Sequence, residues 1–135
     1  MPVKRGWVER GRVDDTRPGA RARGYDRRWD KAAAEFKWRN PHCVGCAAIG
    51  VKRVADVVDH VIPHRGDQYL FWLVPNWQSV CAWHHRVVKY ELERRYLRKE
   101  IQAEDLRLTS ALAIQLTRER YRPATGLDGF AIVGS

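Results

Sequence analysis

The stretch from residue 42 to residue 67, HCVGCAAIGVKRVADVVDHVIPHRGD, carries two different kinds of metal-binding side chain. Cys43 and Cys46 are soft thiol ligands separated by two residues, whereas Asp59 and His60 form a carboxylate–imidazole pair. Thiolates suit zinc, and carboxylate oxygens suit hard divalent cations. A single ion would not need both sets, so the stretch predicts two separate sites, one structural and one catalytic.

The thiol ligands have a matching pair further along the chain. Cys81 and His84 repeat the two-residue spacing of Cys43 and Cys46, and three thiolates with one imidazole complete a tetrahedral zinc site. Such a site is structural because no position is left for water. Two alternatives remain open. One is three buried cysteines without a metal, and the other is His85 as the fourth ligand, although the spacing favours His84.

The carboxylate–imidazole pair lies in a β-branched segment, VADVVDHVI, that predicts a strand. Adjacent side chains on a strand point to opposite faces, so we expect a strand end or a bulge to bring Asp59 and His60 to one centre. Further along, Asn76 follows a proline, His85 opens a predicted helix, and Lys89 lies one helical turn later on the same face. Each alone has an ordinary interpretation, such as a surface ion pair for Asp59 and His60 or a turn for Asn76. The prediction depends on their order along the chain.

Charge indicates the class of partner. The 135 residues suit one domain with a modest core. The chain has 25 lysines and arginines against 16 acidic residues, which gives a net charge of +9. This excess favours a polyanion, with nucleic acid as the first candidate and an anionic membrane surface as the second. Simple solubility is the alternative to both.

Cysteine usage and hydropathy indicate the compartment. Three cysteines are an odd number that a disulfide framework does not use up, so a reducing cytoplasm with the cysteines on a metal fits better. The chain has no apolar run long enough to span a bilayer. Its start, MPVKRGWVERGR, lacks the apolar stretch of a secretory signal. We therefore expect a cytoplasmic protein without a membrane partner.

The pattern along the chain predicts a small α+β domain between two flanking segments. Residues 1–25 are rich in arginine and glycine and are expected to form a flexible basic arm. Asp26 is expected to cap a helix that ends at Asn40, because a residue before proline avoids the helical region. The other predicted elements are a tight loop over 42–53, a strand over 54–62, a loop over 63–76, a short strand over 77–81, and helices over 84–101 and roughly 105–121. The domain then covers 26–100, and a helical, then irregular tail covers 101–135.

The ordered motif of CxxC, DH, N, CxxH, H and K resembles that of the HNH endonucleases, also called ββα-metal or His-Me finger nucleases. The chain looks most like the small HNH proteins encoded near the DNA-packaging genes of tailed phages, from about Gly24 to Lys89. The segments VVDHVIPHRGDQYLFW and PNWQSVCAWHHRVVK carry the match. The resemblance implies a zinc-stabilised ββα-metal finger with flanking helices, in which a β-hairpin and a helix clamp one divalent ion.

The resemblance also implies a role for each motif residue. Asp59 and His85 would bind the catalytic divalent cation, which is not distinguished among Mg²⁺, Mn²⁺, Ni²⁺ and Zn²⁺. His60 would be the general base that activates water, and Asn76 would hold the loop and orient that base. The structural zinc ligands would be Cys43, Cys46, Cys81 and His84. A histidine here replaces the fourth cysteine that is common in the family.

Basic side chains after the last motif histidine are the predicted DNA contacts. Arg86 and Lys89, together with the basic arm, are expected to contact phosphates because they are positively charged. In the resembling family a basic residue commonly stands at the position of Lys89, whereas a small polar residue is common at that of Arg86, so this arginine either contacts phosphate or crowds the metal. Arg94 and Arg95 are either further phosphate contacts or part of a solvated helix face. His64 is either a ligand for metal or DNA or an ordinary solvated loop histidine.

The predicted function is therefore a metal-dependent DNA endonuclease that hydrolyses phosphodiester bonds, by nicking or by double-strand cleavage. The resemblance implies a phage-type protein linked to DNA packaging inside a host cell, with terminase or portal proteins as further candidate partners. Two alternatives stay open. One is a zinc-stabilised nucleic-acid-binding module without catalysis, and the other is an adaptor of the packaging complex.

Overall fold

The computed structural model describes residues 25–121, together with the backbone of Ala124–Thr125 and Ala131–Ile132. These residues form a small α+β fold of helices around a two-stranded hairpin. The predicted basic arm lies outside the described residues except for Tyr25. In the described part of the chain, every helix is too short or too polar to cross a membrane.

Helix α1, Arg27–Arg39, begins and ends where the local sequence predicts. The Asp26 carboxylate accepts hydrogen bonds from the N–H groups of the second and third helical residues, at 3.0 and 3.2 Å. This N-cap satisfies donors that the helix itself leaves unpaired. At the other end, both the backbone N–H and the side-chain amide of Asn40 donate to the carbonyl of Phe36. The helix thus stops immediately before the proline that cannot continue it.

The hairpin consists of strands β1, Val57–His60, and β2, Trp77–Val80, in antiparallel register. Both strands lie within the predicted ones and are shorter. The register places Asp59 opposite Gln78 and His60 opposite Trp77. Directly opposed residues share a face of a sheet, and consecutive residues alternate between faces. Asp59 and His60 therefore face opposite sides of the hairpin.

The predicted loop over 42–53 contains a short helix, α2, Val44–Ala47. The connection between the strands is also more ordered than the predicted loop over 63–76. It contains helix α3, Gln68–Trp72, and a 3₁₀ turn at Val74–Asn76. Asp67 caps α3 by accepting hydrogen bonds from the N–H groups of the second and third helical residues. A helix of one turn is too short to show a hydrophobic period, and for that reason the sequence pattern did not indicate it.

The long helix after β2 contains an unusual segment at its start. The chain becomes helical at Ala82, two residues before the prediction. It forms a π-helix over His84–Lys89 and then continues as α4, Tyr90–Leu97. π-segments widen a helix and occur frequently at functional sites. Here the segment begins with a fully buried His84 and a half-exposed His85, so the two adjacent histidines face different surroundings.

Residues after 100 complete the core. A 3₁₀ turn at Ala103–Leu106 and helix α5, Ala111–Arg120, occupy the place of the predicted helix over 105–121. α5 begins at Ser110, whose hydroxyl accepts a hydrogen bond from the helix backbone. A short antiparallel pair of strands, β3 at Ala124–Thr125 and β4 at Ala131–Ile132, lies where an irregular end was predicted.

Two buried clusters stabilise the fold. The larger one combines the cysteines, the end of the hairpin, the long helix and the C-terminal segment; its members are Cys43, Cys46, Val61, Val80, Cys81, Val88, Leu92, Leu106, Leu108, Ala113 and Leu116. The smaller one joins α1 to the hairpin through Trp29, Phe71 and Trp77. The part of the predicted tail from 101 to 121 therefore belongs to the same core as the cysteines.

Candidate metal centre and active-site cleft

Three cysteines and one histidine converge at the larger core cluster. Cys43 caps the short helix α2, Val44–Ala47, which contains Cys46, while Cys81 follows β2 and His84 opens the π-segment. The Nδ1 atom of His84 lies 3.5 Å from each of the three sulfurs. All four ligand atoms lie within 4.8 Å of one another, and all four residues are buried.

These separations fit a tetrahedral zinc ion. With Zn–S bonds of about 2.3 Å and Zn–N bonds of about 2.0–2.1 Å, a regular tetrahedron has sulfurs about 3.8 Å apart and sulfur–nitrogen pairs about 3.5–3.6 Å apart. The observed separations are 3.8 Å between the sulfurs of Cys46 and Cys81 and 3.5 Å from each sulfur to Nδ1 of His84. The cluster could therefore hold a zinc ion, as the sequence predicted. His84, and not its half-exposed neighbour His85, faces the sulfurs.

A hydrogen bond on the far side of the His84 ring sets which nitrogen faces the cluster. Nε2 of His84 lies 3.1 Å from the hydroxyl oxygen of Thr117, and that hydroxyl donates to the carbonyl of Ala113 at 2.7 Å. The hydroxyl therefore accepts from Nε2–H and leaves Nδ1 with the lone pair that a metal needs. Zinc-bound histidines commonly have such an outer hydrogen bond.

Gly45 makes room for the His84 ring. A Cβ atom at position 45 would lie 2.4 Å from Cδ2 and 2.5 Å from Nε2 of His84. Both distances are far below van der Waals contact, and the ring cannot move away without leaving the cysteines. A residue without a side chain is therefore required between the two cysteines of the CVGC segment.

The cluster attracts positive charge to its centre. Hydrogen bonds among the three sulfurs lower the pKa of the Cys81 thiol and raise the pKa of the Cys46 thiol. Burial lowers the pKa of His84, but the contacts with Cys43 and Cys81 outweigh burial and raise that pKa to about 9. A proton and a metal ion thus compete for the same position, and zinc binding would release protons.

The second predicted site lies in a cleft of about 1070 Å³ along the free edge of β1. Asp59, His60 and His85 all line this cleft. Although their side chains start on opposite faces of the hairpin, Asp59 and His60 both line this one cleft. Asp59 and His60 are the last two residues of β1, so the expectation that they lie at a strand end is confirmed.

His60 is held in one orientation by its surroundings. Its Nε2 lies 2.9 Å from the carbonyl oxygen of Phe71, and its ring stacks on Trp29 at 5.0 Å between centroids with 25° between planes. A carbonyl only accepts hydrogen bonds, so Nε2 carries the proton and Nδ1 carries the lone pair. Within the described part of the chain, Nδ1 makes no hydrogen bond.

His60 has the protonation state that a general base needs near pH 7. Burial lowers its pKa below the ordinary value of 6.5, against the opposing effects of the Phe71 hydrogen bond and the Asp59 charge, and with the help of the Lys89 charge. The imidazole is therefore neutral near pH 7. A neutral ring whose Nδ1 carries a lone pair can accept a proton from water.

The two carboxylate oxygens of Asp59 have different partners. Oδ2 accepts a hydrogen bond from Nε2 of Gln78 at 2.9 Å and pairs with Nζ of Lys89 at 3.1 Å. Oδ1 lies 3.6 Å from Nε2 of His85. One oxygen is thus bound to protein donors, and the other faces a histidine at the cleft.

The Asp59–His85 pair fits a divalent cation with few protein ligands. With bonds of about 2.1 Å, two adjacent ligands lie about 3.0 Å apart around an octahedral ion and about 3.4 Å apart around a tetrahedral one. The observed 3.6 Å is close to these values, and the half-exposed imidazole of His85 has room to move. Among the described residues, no third histidine, cysteine or acidic side chain joins this pair in a ligand cluster. Water and substrate oxygens would complete the coordination.

Asn76 holds the backbone on both sides of the cleft loop. Its Oδ1 accepts from the N–H of Ile62 at 2.8 Å, and its Nδ2 donates to the carbonyls of Ile62 and Leu70 at 3.1 and 3.3 Å. The side chain is buried. It therefore connects the chain just after His60 to α3, whose Phe71 carbonyl orients His60. This contact agrees with the predicted loop-holding role.

Lys89 is buried and does not lie where it could contact a phosphate, contrary to the prediction from the sequence. Its side chain is only 1 % exposed, and Nζ binds Oδ2 of Asp59, Oε2 of Glu93 at 2.6 Å and the carbonyl of His60 at 2.9 Å. An ammonium with these buried partners cannot reach DNA, so the prediction of a DNA contact at Lys89 is wrong. Arg86 is exposed beside His85 and remains a candidate.

Arg94, Arg95 and His64, the other candidates for contacts with DNA or metal, interact with neighbouring groups of the protein. Arg95 pairs with Glu91, and the guanidinium of Arg94 lies over the ring of Tyr90. Both ring nitrogens of His64 are engaged, Nε2 with the hydroxyl of Tyr25 and Nδ1 with the N–H of Gly66. His64 therefore lines the cleft without offering a free nitrogen to a metal.

Residues that shape the two sites but were not predicted include Gln78, Thr117 and Gly45, as well as Trp29 and Phe71 beside His60. Gln78 and Thr117 act through contacts with residues far away in sequence, which no local pattern indicates. Gly45 had a signal, because a glycine inside a CxxC spacer can be required by a close approach of another side chain. Comparison of the chain with protein-family models, curated proteins and solved structures finds no match.

Proposed function

We propose that this protein is a metal-dependent DNA endonuclease of the HNH type, in which a Cys3His zinc centre stabilises a ββα-metal finger. The observation that carries the proposal is the oriented His60 beside the Asp59–His85 pair in one cleft. A base with its lone pair free and a carboxylate–imidazole pair for a cation are the two components that phosphodiester hydrolysis needs. The ordered motif supports the same assignment.

The chemistry assigned to this chain's residues is a hydrolysis. Nδ1 of His60 removes a proton from a water molecule, the water oxygen bonds to phosphorus, and the bond from phosphorus to the leaving oxygen breaks. A divalent cation held by Asp59 and His85 would neutralise the charge that develops on the phosphate oxygens. Asn76 keeps the loop after His60 in place, and Phe71 keeps the imidazole in the tautomer that accepts a proton.

Binding of DNA would depend mostly on charge. The net charge of +9 favours a phosphate backbone, and such contacts are sensitive to salt and largely independent of sequence. The exposed Arg86 next to His85 would place one guanidinium near the scissile phosphate. The link to DNA packaging, with terminase or portal proteins as partners, is proposed from the resemblance alone.

The test is cleavage of supercoiled plasmid by zinc-loaded protein, with and without Mg²⁺ or Mn²⁺. His60→Ala should lower the cleavage rate by about 100-fold or more, because a positioned base contributes roughly 10²–10⁴-fold, and should leave DNA binding unchanged. His42→Ala is the matched control, since His42 is exposed and lies outside the cleft. Cleavage by His60→Ala at the wild-type rate would exclude His60 as the base. DNA binding without cleavage under either ion would favour the non-catalytic binding module.

A further inference from the structure

Gln78 is a buried amide whose position follows from the hairpin register. It lies directly opposite Asp59 in the β1–β2 pair, so the two side chains share one face. Gln78 is 5 % exposed and Asp59 is 6 % exposed. The 2.9 Å hydrogen bond from Nε2 of Gln78 to Oδ2 of Asp59 is therefore a contact within the core, sheltered from water.

The other end of the amide is also bonded. Oε1 of Gln78 accepts a hydrogen bond from the N–H of Leu108 at 3.2 Å, and Leu108 is fully buried. Rotating the amide by 180° would place an oxygen against the carboxylate and a donor against the N–H of Leu108. Both contacts would then be lost, so the two partners together determine the amide orientation.

The amide acts together with a buried ammonium. Nζ of Lys89 lies 3.1 Å from the same Oδ2 atom. Two donors from different elements thus hold one oxygen of Asp59, and Oδ1 is left facing His85. A carboxylate held by one oxygen cannot rotate freely about the Cβ–Cγ bond.

We propose that Gln78 is a positioning residue: it fixes the Asp59 carboxylate so that Oδ1 alone is presented to the cation beside His85, and it connects that site to the C-terminal segment through Leu108. The inference rests on the proposed function for the role of Asp59 as a cation ligand. It extends the functional unit beyond the stretch that carries the HNH resemblance, because Leu108 lies outside that stretch.

The test measures Mn²⁺ binding to the full, zinc-loaded chain in the absence of DNA, by electron paramagnetic resonance of free Mn²⁺. Mn²⁺ prefers oxygen and imidazole ligands and leaves a thiolate-rich zinc site undisturbed. Asp59→Asn defines the binding that depends on the candidate site. Gln78→Met has a similar length without a hydrogen-bonding group, and it changes no charge. Gln115→Met is the matched control, because Gln115 lies on the exposed face of α5.

We expect Gln78→Met to weaken the Asp59-dependent Mn²⁺ affinity by about 10- to 100-fold, the usual effect of removing an outer hydrogen bond from a metal ligand. The Mn²⁺ concentration for half-maximal plasmid cleavage should rise by a similar factor, while the Kd for DNA without divalent ions should not change. A merely structural role would lower the melting temperature without this selective effect on Mn²⁺.

Unchanged Mn²⁺ affinity in a folded Gln78→Met protein would overturn the inference. If that variant does not fold, Gln78→Asn replaces it, because its shorter amide cannot span Asp59 and Leu108 and the same shift is expected. Failure of both variants to fold would assign Gln78 to core stability alone and also overturn the inference. Mn²⁺ binding through Asp59 without any DNA cleavage would contradict the proposed function and leave the Gln78 test intact. Mn²⁺ binding that Asp59→Asn does not change would contradict both.

Discussion

Thr117 on α5 accepts a hydrogen bond from Nε2 of His84, with 3.1 Å between the two atoms. This contact joins the C-terminal helix to the candidate zinc centre. It also selects the His84 tautomer, because the Thr117 hydroxyl has already donated its proton to the carbonyl of Ala113. The helix is therefore part of the candidate zinc centre although it would supply no ligand.

Thr117→Val should weaken zinc binding while preserving side-chain shape. Loss of the acceptor leaves Nε2–H of His84 buried without a partner, and removal of such outer contacts costs roughly 10- to 100-fold in metal affinity. Competition with a chromogenic chelator measures the change. Thr109→Val is the control, because Thr109 is exposed. Equal zinc affinity in both variants would show that the hydroxyl has no effect on the metal.

Gly45→Ala should disrupt the zinc centre more than an ordinary glycine substitution. The added Cβ would lie 2.4 Å from the His84 ring, which must then move away from the sulfurs. Overpacking of this kind costs about 1–3 kcal/mol, and we expect the purified variant to contain less zinc. Gly50→Ala is the comparison, since its Cβ meets no atom within 4 Å and the positive φ of 80° causes backbone strain only. We expect full zinc content in Gly50→Ala, and full zinc content in Gly45→Ala as well would show that the His84 ring does not need the space.

The imidazole of His60 should titrate below pH 6.5. Burial lowers its pKa, so in the pH window just below 6.5 the unfolded chain binds more protons than the folded protein. The contribution of His60 to folding stability is therefore present above this window and decreases as the pH falls through it. Side-chain NMR of the folded protein measures the midpoint directly. A midpoint at or above 6.5 would contradict the neutral, base-competent state at pH 7.

Lys89→Met should lower stability without weakening DNA binding. The substitution leaves the buried carboxylate of Asp59 without its ammonium partner, and breaking a buried pair costs about 3 kcal/mol or more. Denaturant unfolding measures the stability and electrophoretic mobility shift measures DNA affinity. Lys52→Met, at an exposed position, is the control for loss of one positive charge. A stable Lys89→Met protein with weaker DNA binding would restore the original prediction of a phosphate contact.

Arg86→Ala should weaken DNA binding without lowering stability, which is the opposite of the result expected for Lys89→Met. Its exposed guanidinium makes it a phosphate contact that folding does not need. We expect weaker DNA binding and a salt dependence whose slope falls by about one unit, with stability unchanged. A salt titration of the Kd tests this, and an unchanged slope would place DNA elsewhere on the surface.

The residues of the Cys3His cluster and the cap of α1 could be predicted because each depends on a short spacing or a single capping residue. Cys43 and Cys46 lie within one turn, and Asp26 caps the helix that follows it. The burial of Lys89 could not be predicted in this way, since it depends on how the long helix packs against the end of β1. The contacts of Gln78 and Thr117 likewise need a strand register and a helix packing that no local pattern contains.

We propose that one chain combines a closed zinc centre with a separate, open site for a second cation. The most direct measurement is plasmid cleavage by protein dialysed against a weak chelator, with the zinc content determined in the same sample. We expect one retained zinc per chain, a folded protein and no cleavage, followed by cleavage when Mg²⁺ or Mn²⁺ is added back. Two results would contradict the proposal of two separate sites. One is folded, zinc-containing protein that cleaves with neither Mg²⁺ nor Mn²⁺, and the other is cleavage that needs zinc alone.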